Sequence, residues 1–170
     1  MCNGIKKSKK AKVLTEEQIT TFFMEAADEV FILEKVILLF GIYGACRREE
    51  LVKLSVDDIE DSGKFIVVTL QDTKNKSSRR FTITDDGTPF KGCELYRKYA
   101  ALRPSDLQGR RFFVDFRKGK CTRQFVGVHK IGGVPRKIAD SWKALKILQD
   151  IHFVGRVQLC WQITVVTSSH

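Results

Sequence analysis

From Val30 to Tyr43 the chain reads Val-Phe-Ile-Leu-Glu-Lys-Val-Ile-Leu-Leu-Phe-Gly-Ile-Tyr, apolar almost without interruption. At about 100° per residue, such a run puts apolar side chains on nearly every face of a helix. The segment therefore has no side to turn to water and must be the buried centre of a domain. Its uncharged stretch, Val36 to Ile42, is too short to span a bilayer, which takes ~20 consecutive apolar residues. At 170 residues the chain can wrap one such helix in a core but is too short for two substantial domains.

The flanking segments supply what can pack around that helix. Thr15 followed by Glu16, Glu17 and Gln18 is an N-cap with acidic residues in the first turn, opening a helix through about Ala27. A short helix from about Arg48 to Leu54 turns Leu51 and Leu54 inward, and Val56-Asp57-Asp58-Ile59 turns the chain. Phe65–Leu70 and Arg80–Ile83 are β-branched runs joined by a polar segment, which reads as a hairpin. An amphipathic helix near Cys93 to Leu102 and the apolar Phe112-Phe113-Val114 follow. A loop with Gly119, Gly127, Gly132 and Gly133 then leads into a helix expected to start near Pro135, since proline suits a first turn. The fold class is α+β: a mostly helical domain with a small antiparallel sheet at one side. Ahead of it, residues 1–14, with Lys6-Lys7-Ser8-Lys9-Lys10-Ala11-Lys12, carry no apolar period and are expected to be a disordered basic tail.

Charge narrows the partner. A net charge of +10 and a pI near 9.5 favour a polyanion, nucleic acid before anionic membrane. Cys2, Cys46, Cys93, Cys121 and Cys160 are odd in number and never fall in a Cys-x-x-Cys spacing, so neither a zinc site nor a disulfide framework is expected. His129, His152 and His170 have no carboxylates at ligand spacing. No metal, no cofactor and no membrane partner are expected, and the compartment should be reducing and intracellular, nucleus or cytoplasm.

Chemistry concentrates just after the apolar run, in Gly44-Ala45-Cys46-Arg47-Arg48-Glu49-Glu50-Leu51, and again in Thr73-Lys74-Asn75-Lys76-Ser77-Ser78-Arg79-Arg80 on the hairpin. An arginine at a helix start, set right after an apolar helix and followed by a lysine on a polar hairpin, begins a site for a phosphodiester. The order of Arg-x-x-Glu-Leu at Arg47–Leu51, Thr73-Lys74 in the hairpin and Val134-Pro135-Arg136-Lys137-Ile138-Ala139 resembles the catalytic domain of tyrosine recombinases, the phage-integrase family. The last piece looks most like recombinases of eukaryotic mobile elements, and the similarity covers roughly residues 15–140.

The resemblance implies a chemistry and an assignment of roles. In that family a tyrosine attacks a DNA phosphate and holds the cut strand as a 3′-phosphotyrosine, without metal or nucleotide. Arginines meet the charge of the phosphorane-like transition state, and a hairpin lysine protonates the leaving 5′ oxygen. By resemblance Arg47 is the first phosphate-binding arginine and Lys74 the general acid, with Lys76 the alternate. Glu50 would support Arg47 rather than catalyse, because a carboxylate facing the scissile phosphate would repel it. Lys76, Arg79 and Arg80 join Arg47 and Lys74 as expected contacts to double-stranded DNA, on which the chain could form a homo-oligomer. The plainer readings stand beside these: Arg47 as a solvated partner of Glu50 or Asp57, and Lys74 as one polar residue of an exposed turn.

Beyond Asp140 the resemblance stops. The family pattern there requires His-x-x-Arg, a His or Trp, and the nucleophilic Tyr, whereas Tyr43, Tyr96 and Tyr99 all lie upstream. His152 and Arg156 are spaced one residue too far, which on a helix turns the arginine by about 100° out of register. Residues Val157–Val166 are charge-free and β-prone where the family has a charged helix. If each codon from Asp140 onward is joined by its last base to the first two of the next, permitted choices read FLESPKNFTGHTFRRSSATLLADYGGD, with His-x-x-Arg in register. Trp142-Lys143 forces Glu in that frame, Cys160-Trp161 forces Leu and Trp161-Gln162 forces Ala. Residues 141–170 are therefore expected to be an aberrant tail, an out-of-frame translation of a recombinase gene, and the chain to lack activity for want of its nucleophile. The competing expectations are a non-catalytic DNA- or chromatin-binding module and a basic domain whose partner is a protein.

Overall fold

Helices α1 (Glu16–Glu25) and α2 (Asp28–Gly44) open the fold in the computed structural model, which describes residues 14–71, 77–148, 158–160 and 164–165. Thr15 Oγ1 accepts from the Gln18 N–H at 3.2 Å and the Gln18 side chain accepts from the Thr15 N–H at 3.0 Å, so two donors at the start of α1 satisfy each other's residues reciprocally. Helix α2 is the predicted centre, with Ile32, Leu33, Val36, Ile37, Leu39 and Phe40 all buried. Burial on every face takes two of its charges, Glu34 and Lys35, inside as well, and each has found a partner. Lys35 Nζ donates to Phe23 O at 2.9 Å and Asp28 Oδ1 at 2.7 Å, and Glu34 Oε1 accepts from Lys137.

After the short helix α3 (Arg48–Lys53), a single 3-10 turn at Val56–Asp58 leads into strand β2 (Ile59–Asp61). Strands β3 (Ile66–Gln71) and β4 (Ser78–Ile83) form the expected hairpin, and β2 adds a third antiparallel strand in the order β2-β3-β4. Helix α4 (Gly92–Leu102) packs on α2 and buries Cys93, Leu95 and Tyr99. Its Arg97 makes a paired contact with Asp61, at 2.8 Å and 2.9 Å, and reaches Gly63 O.

Two expectations are corrected in the next stretch. The glycine-bearing loop is instead a second hairpin, β5 (Val114–Arg117) and β6 (Lys120–Phe125), with Arg117 paired to Lys120. Lys118 and Gly119 both sit at positive φ, 51° and 77°, the backbone of a two-residue turn whose twist matches the strands. The closing helix α5 (Val128–Leu148) starts seven residues before Pro135, which lies inside it. An interior proline costs roughly 3 kcal/mol and forfeits one backbone bond. Against that, Ile131, Val134, Ile138 and Ala139 form a buried stripe at helical spacing over α1 and α2.

Helix α5 runs through Asp140 without a break, and the strand pair β7 (Gln158–Cys160) and β8 (Thr164–Val165) follows it. Strand β7 pairs with β1 (Leu14–Thr15). Leu14 is buried, so the last residue assigned to the basic tail belongs to the core; the rest of that tail lies outside the described residues.

Candidate nucleic-acid interface

The Arg47 motif sits on a tight corner between α2 and α3. Gly44 ends α2 against the Phe81 ring, where no Cβ fits. Ala45 follows in the left-handed region at φ 45°, ψ 42°, a conformation that costs a non-glycine residue roughly 1–2 kcal/mol. Cys46 then folds back, its Sγ on Phe40 O at 3.3 Å, and burial pushes its thiol up to about 12, so it is a packing group and not a nucleophile. The backbone emerges extended at Arg47, with φ −74° and ψ 155°, as the N-cap of α3. Leu51, fully buried one turn on, anchors the helix.

Arg47 is exposed, and its guanidinium makes no ion pair with a described residue. The partners named for it by the plainer reading are taken otherwise. Asp57 pairs with Arg110, whose Nε lies 2.8 Å from Oδ2. Glu50 Oε2 accepts the Arg47 backbone N–H at 2.6 Å and the Arg79 Nη2 at 2.7 Å. A carboxylate in the first turn of α3 thus holds an orphan N–H where the helix dipole favours negative charge.

The β4 pleat divides the two hairpin arginines. Phe81 and Ile83 turn inward on the face that meets α2, opposite Val68 and Ile66 of β3, and Arg79 shares that face. Its guanidinium donates to Gly44 O, to Ala45 O at 3.2 Å and to Glu50. Arg80 points to the other face, exposed, and makes no ion pair with a described residue. Lys74 and Lys76 lie outside the described residues, so their placement relative to Arg47 is not described.

Other basic groups are committed to structure. Arg103 donates to Phe112 O and Arg111 O, and Arg111 to Val52 O and Val126 O, which ties α3 to the strand region behind it. Arg48, beside Arg47, lies over Gly132 of α5, its Cδ and Nη1 3.1 Å from where a Cβ there would stand. The three tyrosines are engaged too: Tyr43 donates to Thr84 O, Tyr99 is buried with its hydroxyl between the Val114 N–H and carbonyl, and Tyr96 stacks on Phe112. Among the described residues no group of three His, Cys, Asp or Glu is arranged to hold a metal ion, and no helix is long and apolar enough to cross a membrane.

The chain matches no protein-family model and no curated protein sequence. Its fold does match solved structures. XerA recombinase superposes with a TM-score of 0.58 at 18% identity, over 88% of this chain and 48% of that one. XerH site-specific recombinase bound to difH substrate, in a pre-cleavage complex, gives 0.52 at 12% identity, over 76% of this chain and 36% of that one. The XerH post-cleavage complex with palindromic difH substrate gives 0.51 at 13%, over 80% and 38%. The chain has a recombinase fold of the tyrosine-recombinase type, α+β as the element pattern predicts, and spans less than half the length of these recombinases.

Proposed function

We propose that this chain is a tyrosine-recombinase-like catalytic domain of mobile-element type that binds double-stranded DNA through backbone phosphates at Arg47 and does not cleave it. The observation that carries this reading is the exposed Arg47 guanidinium, on a tight corner of a recombinase fold, with its neighbouring carboxylates occupied by Arg79 and Arg110. A free guanidinium fork is suited to a phosphate. Lys74, or Lys76, would be the general acid of the ancestral reaction, and Tyr43, Tyr96 and Tyr99 all lie upstream of where its nucleophile would stand. The out-of-frame reading of residues after about Asp140 accounts for that loss; sequencing the locus tests it, and codons unable to yield the shifted peptide would end it. A nuclear or cytoplasmic protein that assembles on DNA completes the proposal.

Titration of the full chain against a short mixed-sequence DNA duplex at several salt concentrations tests the binding. Affinity should fall steeply with salt, and Arg47→Ala should weaken it and lower the salt slope by about one. An unrelated basic module would hardly notice that substitution. A covalent adduct on a nicked suicide substrate would overturn the inactivity.

A further inference from the structure

We infer that Arg79 is a positioning residue of the phosphate site rather than a contact to DNA; the inference rests on the DNA-binding reading of Arg47. Three observations point the same way. First, one guanidinium spans the last carbonyl of α2, Gly44 O, the carbonyl of the left-handed cap Ala45, and the Glu50 carboxylate. Gly44 O lies at the negative end of the helix dipole, at the corner that presents Arg47. Second, the Glu50 oxygen that Arg79 neutralises is the one that holds the Arg47 N–H. Left unpaired, that carboxylate would stand beside an arriving phosphate and oppose it. Third, Arg79 pairs with Leu70 in the hairpin register. Its grip on the corner therefore ties β4 to the turn bearing Arg47.

Arg79 is exposed, but its Nη1 and Nη2 donors are held by Gly44 O, Ala45 O and Glu50, whereas Arg80 carries the same charge on the opposite face of the same strand. That pair supplies an internal control. A role through general surface charge would make the two arginines equivalent, and a role through Glu50 would set Arg79 apart.

The test is duplex binding by the full-length chain, with Arg47→Ala, Arg79→Ala, Arg80→Ala, Glu50→Gln and the relevant doubles, each checked for a cooperative melt. Arg79→Ala should weaken binding about tenfold, more than Arg80→Ala, and should add little to Arg47→Ala, since the two act as a unit. Glu50→Gln keeps an acceptor for the Arg47 N–H while removing the charge. It should restore affinity to Arg79→Ala by a larger factor than it changes the chain that retains Arg79. If Arg79→Ala loses its cooperative melt, Arg79→Lys carries the same comparison, because an ammonium keeps the charge but cannot span three acceptors as the fork does. Equal losses from Arg79→Ala and Arg80→Ala, additivity with Arg47→Ala and no rescue by Glu50→Gln would overturn the inference while the DNA-binding reading stood. No weakening from Arg47→Ala would overturn both.

Discussion

The Phe81 ring of β4 occupies the space that a side chain on Gly44, the last residue of α2, would need, with Cys46 Sγ only 2.7 Å from the same point. The end of the central helix and the hairpin therefore meet with no tolerance at the corner that presents Arg47. Gly44→Ala should destabilise the fold by about 1–3 kcal/mol, the usual range for overpacking, and lower the affinity for duplex DNA by displacing Arg47. Thermal melting and DNA titration would check both effects. Phe81→Leu introduced beside Gly44→Ala should return part of the stability, because the neighbour that blocks the new methyl is then smaller.

The parts of this arrangement that rest on local pattern were legible in the sequence, and those that rest on tertiary placement were not. The unbroken apolar run predicts α2, and Thr15 with Gln18 predicts the start of α1, because each signal lies within a few residues of its effect. The second hairpin was missed because its turn is marked only by Lys118-Gly119, and its strands carry Arg117, Lys120 and Arg123 where alternation would be sought. Pro135 misled because a proline suits a helix start, while the buried stripe from Ile131 to Ala139 sustains a helix through it. At the site, Arg47 and Glu50 were legible as a unit. The role of Arg79 was not, since its partners are 35, 34 and 29 residues away. Pleat parity offered a usable signal: Arg79, Phe81 and Ile83 alternate onto one face, which separates Arg79 from Arg80 before any coordinates are known.

Glu34 and Lys137 join the centre of the fold to α5 through a pair that is buried at one end and open at the other. The Glu34 side chain is 4% exposed and that of Lys137 49%. Glu34 Oε2 has no partner among the described residues, and the Lys137 ammonium also lies 5.4 Å from the Phe31 ring centroid. Lys137→Met should leave the carboxylate uncompensated and cost about 1–3 kcal/mol, a range reduced from that for fully buried pairs because the lysine is half in water. Adding Glu34→Met should recover most of the loss, since an apolar pair removes both the charge and the orphan oxygen. Denaturant unfolding of the two variants would show it; a double variant no more stable than Lys137→Met would count against this account.

Cys46 gives the corner an alkaline limit. Burial, the largest influence, pushes its thiol up to about 12 from its ordinary value of 9.0. The unfolded chain therefore ionises first. The stability contributed by keeping this thiol neutral is complete below pH 9 and is lost as pH rises through 9 toward about 12. Stability measured across that window should decline less steeply in Cys46→Ala than in the unaltered chain. At neutral pH iodoacetamide should modify Cys46 in the denatured chain far faster than in the native one, which mass spectrometry of the peptide would read directly.

Asp61 sets the corresponding behaviour in acid, away from the Arg47 corner. The paired hydrogen bond from Arg97, the largest influence, holds its carboxyl down at about 2, and the Gly63 N–H adds to the effect. A depressed value in the folded state means that the unfolded chain takes up the proton first. The contribution of this contact is therefore present above pH 4 and is lost as pH falls through 4 toward about 2. Arg97→Ala should lower the melting temperature at neutral pH by a small amount, because both groups are partly exposed and such pairs are screened. The difference between Arg97→Ala and the unaltered chain should shrink as pH falls through that window and rising salt should shrink it at neutral pH, whereas a difference constant in pH would assign the effect of Arg97 to its hydrogen bond with Gly63 O.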